Sequence, residues 1–85
     1  MNCFQKLKSL YVRKGLLQKD LANEFNMSKA SFNNKMVSCD TRFNIRDLIR
    51  YADYCSLKIA FIDDNNNIIE TLNINDIEQS QTKKT

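Results

Sequence analysis

The segment from Gln18 to Lys35, QKDLANEFNMSKASFNNK, constrains this chain more than any other. Leu21, Ala22 and Phe25 fall at i, i+1 and i+4, which places them on one face of a helix entered through Gln18 and Lys19. Asn26 interrupts the pattern. Among residues other than Gly, Asn is one of the few that tolerates the left-handed backbone of a sharp corner, so its place after Phe25 predicts a helix stop. Ser28 restarts the chain with a hydroxyl suited to cap the free amides of a second helix, Lys29 to Lys35. Met27 and Phe32 are expected to point back and hold the two helices together.

The outer face of the second helix then carries Lys29, Ala30, Ser31, Asn33, Asn34 and Lys35, all small, amide-bearing or cationic. Such side chains read base edges and grip phosphates in a major groove. At Gln18, Leu21-Ala22, Met27-Ser28, Phe32 and Asn34-Lys35 the chain resembles the Cro/C1-type (XRE) family of helix-turn-helix DNA-binding proteins, especially small phage-type regulators. The similarity extends more loosely from Leu7 to Phe61. Two positions depart from the family pattern: Asn26 stands where Gly is usual, and Lys35 where many members place an apolar residue, with Met36 beside it to supply packing. The resemblance implies a mostly α fold, a four-helix lambda-repressor-like helix-turn-helix domain followed by a C-terminal β-hairpin. The same spacing also suits any helical hairpin in a small core.

Inventory narrows the function classes. With 85 residues and 42% hydrophobic content, the chain can bury one modest core, at a size where a partner subunit commonly adds stability. No window approaches the roughly 18 unbroken apolar residues of a membrane span, and the first residues lack the apolar stretch of a signal peptide, so a cytoplasmic protein is expected. Cys3, Cys39 and Cys55 are odd in number with no CxxC spacing, which predicts reduced thiols, Cys55 in the core and Cys3 exposed. Without His the commonest general base and zinc ligand are both missing, and Gly15 is the only glycine, so no phosphate-binding glycine loop can form. No enzyme activity, cofactor or metal is expected.

Charge is unevenly placed. Residues 1 to 62 carry 11 Lys and Arg against 5 Asp and Glu, a net +6, whereas residues 63 to 85 carry 2 against 5, a net −3. A basic body with an acidic end suits a polyanion-binding domain, and an ordinary solvated surface is the alternative.

Three segments are expected: residues 1–56 as the helix-turn-helix domain, 57–74 as the hairpin and 75–85 as a flexible tail. In the first, Cys3, Phe4, Leu7, Leu10 and Tyr11 recur at helical spacing over Met1 to Lys14, and Gly15 ends that helix. Met36 to Phe43 shows no period and reads as a loop. Asn44 is placed to cap a fourth helix, with Asp47 in its first turn and Ile45, Leu48, Ile49, Ala52 and Cys55 on its inner face. Tyr51 and Tyr54 fit either a rim or a partner contact. From Leu57 the period becomes two: Leu57, Ile59 and Phe61 alternate with Lys58 and Ala60, Asp63 to Asn66 supplies a turn, and Asn67 to Leu72 returns. A lone hairpin is marginal in water, so it either closes the core or pairs with a second copy through Leu57, Ile59, Phe61, Ile68 and Ile69. Ile74 and Ile77 allow one helical turn, and Gln79 to Thr85 is expected to be disordered.

The expected function is that of a sequence-specific DNA-binding transcriptional regulator, a repressor acting as a homodimer on a palindromic operator in double-stranded DNA. Lys29, Ala30, Asn33 and Asn34 are candidates for base edges, and Gln18, Ser28, Ser31, Lys35 and Arg42 for phosphates. Arg42 reads equally as an ordinary exposed arginine. The rival expectation is a protein-binding module, such as an antitoxin, anti-repressor or phage-encoded inhibitor, whose acidic, strand-forming C-terminal third grips a protein partner.

Overall fold

A computed structural model describes residues 2–77, in the order α1 (Cys3–Arg13), α2 (Gln18–Glu24), α3 (Lys29–Val37), α4 (Cys39–Arg42), α5 (Ile45–Tyr54), β1 (Ile59–Ile62) and β2 (Ile68–Leu72). The fold is mostly helical with a C-terminal antiparallel hairpin. It divides between Asn44 and Ile45 into two compact units, so α5 groups with the hairpin rather than with the preceding helices.

The N-terminal unit is a helical cluster in which α3 contacts α1, α2 and α4, and α1 also contacts α4. Its buried residues are Tyr11, Leu21, Ala22, Phe32, Met36 and Cys39. Removing side chains of this size from water contributes about 1.5–3 kcal/mol for each of the larger ones. Helix α1 starts at Cys3, the first residue of the hydrophobic stripe, and Asn2 caps it. Asn2 accepts a hydrogen bond from the Gln5 amide at 2.9 Å and its own amide donates to Gln5 Oε1 at 3.0 Å, a reciprocal cap.

Helices α1 and α2 end alike. Gly15 has φ +74°, the Leu16 amide donates to Tyr11 O at 3.0 Å and the Gly15 amide to Val12 O at 3.0 Å. Asn26 has φ +55°, with Met27 N donating to Ala22 O at 2.9 Å and Asn26 N to Asn23 O at 3.0 Å. Both are Schellman closures, in which a left-handed residue lets two amides return to otherwise unpaired carbonyls.

Two expectations for this unit are corrected. Met36 to Phe43 is not a loop. Met36 lies four residues after Phe32 and is fully buried with it, which carries α3 on to Val37, and the amides of Thr41 and Arg42 then donate to Ser38 O to form α4. The chain therefore has five helices among the described residues up to Tyr54, not four. The cysteines are not all free thiols either: Cys3 and Cys39 form a disulfide, with Cα atoms 6.6 Å apart across a sequence separation of 36. Spacing along the chain could not show this, because α1 and α4 meet only in the folded unit. Cys55 is in no disulfide and is fully buried.

In the C-terminal unit Ile49, Tyr51, Ala52 and Cys55 are buried and Leu48 is half-buried. Ile45, expected inside, is 58% exposed at the first position of α5. Tyr51 is fully enclosed, which resolves its place, while Tyr54 is half-buried. Helix α5 closes as α1 and α2 do, here on Ser56 with φ +60°, Leu57 N donating to Ala52 O at 2.8 Å and Ser56 N to Asp53 O at 2.9 Å.

The hairpin pairs Ile59 with Leu72, Ala60 with Thr71, Phe61 with Glu70 and Ile62 with Ile68, the last after a register shift. Its turn is organised by Asp63, whose Oδ1 accepts the amides of Asn65 at 2.8 Å and Asn67 at 2.9 Å, and by Asn66 at φ +67°. The hydrogen bond from the Asn67 amide is the main cause that holds the Asp63 carboxyl below its ordinary range. Beyond β2, residues 74–77 are helical, with Asn73 N donating to Asp76 Oδ2 at 2.8 Å. The disorder expected for Gln79 to Thr85 lies outside the described residues.

Candidate nucleic-acid interface

The surface that the sequence singles out is built on α3. Ser28 adopts extended backbone and its Oγ accepts the Ser31 amide at 3.1 Å, so the helix begins where the hydroxyl satisfies one of its free donors. Phe32 and Met36 are buried completely and fix which face turns inward. Phe32 stacks against Phe25 of the preceding helix end, ring centroids 5.4 Å apart, and Phe25 in turn meets Phe43 at 6.1 Å. With those rings as the anchor, the opposite face of α3 is committed to solvent.

On that face Lys29, Ala30, Asn33 and Asn34 are all exposed. Val37 is also exposed, at 56%, and continues the stripe of Ala30, Asn33 and Asn34 at i+7 from Ala30. Sequence reading missed Val37 because it ended the helix at Lys35. Its spacing from Ala30 was the signal available.

The residues expected on phosphates divide into two groups. Ser31 and Arg42 are exposed, and Ser28 is exposed while its Oγ serves as the cap. Gln18 and Lys35 are half-buried and already engaged within the unit. Gln18 Nε2 donates to Asn33 Oδ1 at 3.0 Å, an amide pair joining the first residue of α2 to the middle of α3. Lys35 Nζ donates to the Arg42 carbonyl at 3.1 Å and lies 5.4 Å from the centroid of Phe43. That ammonium therefore links the last turn of α3 to the end of α4, where a cation also complements the negative end of a helix. Met36, the neighbour expected to supply apolar packing, is fully buried.

Charge follows the division into units. Residues 1–44 carry 8 Lys and Arg against 3 Asp and Glu, a net +5, and residues 45–85 carry 5 against 7, a net −2. The exposed face of α3 thus belongs to a basic unit, and a long-range field of this sign attracts polyanions.

The residues named for pairing between copies are open to solvent for the most part. Phe61, Ile68 and Ile69 are more than half exposed, Leu57 is exposed to a lesser degree, and Ile59 is half-buried. Ile62, not singled out from sequence, is as exposed as Phe61. Among the described residues no group of His, Cys, Asp and Glu is arranged to hold a metal ion, and no helix is long and apolar enough to cross a membrane. In comparison with known proteins, no family model matches the chain, and no curated protein or solved structure matches it.

Proposed function

We propose that this chain is a helix-turn-helix DNA-binding protein of the Cro/C1 type, a transcriptional repressor that binds a palindromic operator as a homodimer. One observation carries the reading: a Ser-capped helix, held by Phe32 and Met36, turns Lys29, Ala30, Asn33 and Asn34 outward together on the basic unit. Asn offers a donor and an acceptor to adenine, Lys offers donors to guanine, and Ala and Val37 offer apolar contact to a thymine methyl. Ser28, Ser31 and Arg42 approach the phosphates, together with Gln18 at the start of α2. Lys35 acts indirectly, by fixing α4 and with it Arg42.

A single recognition helix reads only a few base pairs. Two copies spaced about 34 Å apart reach successive major grooves on one face of the duplex and give useful specificity. The hairpin supplies the contact between copies: among the described residues each of its strands has an open edge, and Phe61, Ile62, Ile68 and Ile69 offer apolar surface to cover.

Selection of bound duplexes from random DNA tests this. The expected result is enrichment of an inverted repeat with half-site centres about one helical turn apart, and binding that weakens steeply as salt rises. In that sequence Asn34→Ala relaxes preference at one base pair per half-site and costs about 1–3 kcal/mol. Absence of any enriched duplex, with no mobility shift at low salt, overturns the reading.

The second reading, a module that binds another protein, is favoured by the same exposed hairpin side chains, which fit a foreign partner as well as a second copy. The protein would then co-purify with that partner and remain a monomer when separated from it.

A further inference from the structure

We infer that Cys3 and Cys39 form a reversible redox clasp on the helical unit, oxidised by small-molecule disulfides of the glutathione class and opened by the corresponding thiol. The inference does not depend on what α3 binds. Three features support it. The Cα atoms are 6.6 Å apart, inside the range that a disulfide spans without moving the backbone. The two sulfurs differ in access: Cys3 is exposed, whereas Cys39 is only 4% exposed. The third thiol, Cys55, is fully buried in the other compact unit and offers no exposed competitor.

Position sets the order of steps. Cys3 is the first residue of α1, behind the Asn2–Gln5 cap, with no acidic residue in the first turn. The positive end of a helix favours the deprotonated sulfur that attacks disulfides, and exposure lets a bulky reagent reach it. The Cys3 thiolate attacks one sulfur of glutathione disulfide, forming a mixed disulfide and releasing one glutathione thiolate. The Cys39 thiolate then attacks Cys3 Sγ, breaking the mixed disulfide and releasing the second glutathione. Two protein thiols are oxidised to one disulfide, and one glutathione disulfide is reduced to two thiols, with both thiol protons passing to the released glutathiones.

The consequence lies in what the closed loop contains. Joining residues 3 and 39 encloses α1, α2 and α3 whole, and it fastens the start of α1 to the start of α4, two helices that already touch each other and α3. Oxidation restricts the unfolded chain and so stabilises the arrangement that presents the outer face of α3. Reduction leaves the same packing without that restraint.

The test uses the full chain, reduced, freed of reductant and equilibrated in buffers of graded reduced-to-oxidised glutathione ratio. Samples are quenched with acid, alkylated under denaturing conditions with N-ethylmaleimide and weighed intact. The reduced chain takes up three alkyl groups. At the oxidising end it takes up one, carries no glutathione, and yields a Cys3–Cys39 cross-linked peptide. Its thermal midpoint rises by more than about 5 °C over the reduced chain. Cys39→Ser is expected to stop at the first step, holding glutathione on Cys3 with no gain in midpoint, and Cys3→Ser to gain neither adduct nor cross-link. Retention of three alkylatable thiols, accumulation of the glutathione adduct on the unaltered chain, or cross-links only between chains would each overturn the clasp.

Discussion

Lys35 separates two roles that a lysine at this position can have. Its ammonium donates to the Arg42 carbonyl at 3.1 Å and lies 5.4 Å from the Phe43 ring centroid, so replacement by Met keeps an unbranched apolar stem and deletes both polar contacts. A hydrogen bond from a charged donor contributes about 1.5–3 kcal/mol when well enclosed, and this half-buried one is discounted to about 0.5–1 kcal/mol. A cation over an aromatic face at a partly exposed site adds about 0.5–1 kcal/mol. Lys35→Met should therefore cost about 1–2 kcal/mol, and each kcal/mol lowers the melting midpoint of a domain of this size by about 4–8 °C. A companion Phe43→Leu variant and the double mutant close a cycle that isolates the cation–ring contribution.

Thermal unfolding followed by circular dichroism measures the loss, and duplex binding over a salt series measures the other role. A lysine that neutralises a phosphate lowers the slope of log affinity against log salt by about 0.9 when removed. For a lysine engaged within the fold, the midpoint falls and the slope stays. If Lys35→Met melts with the unaltered protein while its salt slope drops by about one, the reasoning is refuted and Lys35 belongs with the phosphate ligands.

Three further outcomes are expected. Ser28→Ala removes the side-chain acceptor of the Ser31 amide and should destabilise the helical unit by about 1 kcal/mol, with Ser28→Gly costing less, as read from urea midpoints. Ser56→Gly relieves a side chain held at φ +60° and should raise stability by about 1 kcal/mol, more than Asn26→Gly does, because Asn tolerates the left-handed region; equal gains at both positions would contradict this. The Asp63 carboxyl, held below its ordinary value of 3.8 chiefly by the Asn67 amide, contributes stability that is fully present above that value and is lost as pH falls through the folded-state pKa. An NMR titration should place its midpoint below 3.8 and show the Asn65 and Asn67 amide signals moving with it, and Asp63→Asn should abolish that step; a midpoint at or above 3.8 would count against the turn.

How much of the candidate interface could be read from the chain depends on the range of the interactions involved. The outward set on α3 follows from local rules: Ser28 caps, Phe32 faces in, and residues at helical offsets from Ala30 face out. Lys29, Ala30, Asn33 and Asn34 are exposed for those reasons. What the sequence hid is the work that polar groups do inside the unit. The Gln18–Asn33 amide pair joins residues on different helices, the Lys35 ammonium reaches the end of α4, and the Cys3–Cys39 link joins helices far apart in the chain. None has a periodic signal, since each depends on how helices cross. The α4 segment was missed for a related reason: a four-residue helix is too short for a period, and it is started by Ser38 accepting two amides.

The helix ends show where a local rule was present but incompletely stated. Gly15 and Asn26 are recognisable corners because their residue types favour a left-handed backbone, and both adopt one. Ser56 has no such preference, yet α5 closes in the same two-bond pattern. What the three corners share is the residue that follows. Leu16, Met27 and Leu57 are all apolar, and each donates its amide to the carbonyl five residues before it, at Tyr11, Ala22 and Ala52. In these three closures the corner residue is followed directly by an apolar one, the C″ position whose side chain commonly packs back on the last helical turn. The helix stop is encoded by two positions. A corner residue that resists φ > 0 can still be forced into it when its successor and the returning carbonyl bonds outweigh about 1 kcal/mol of backbone strain.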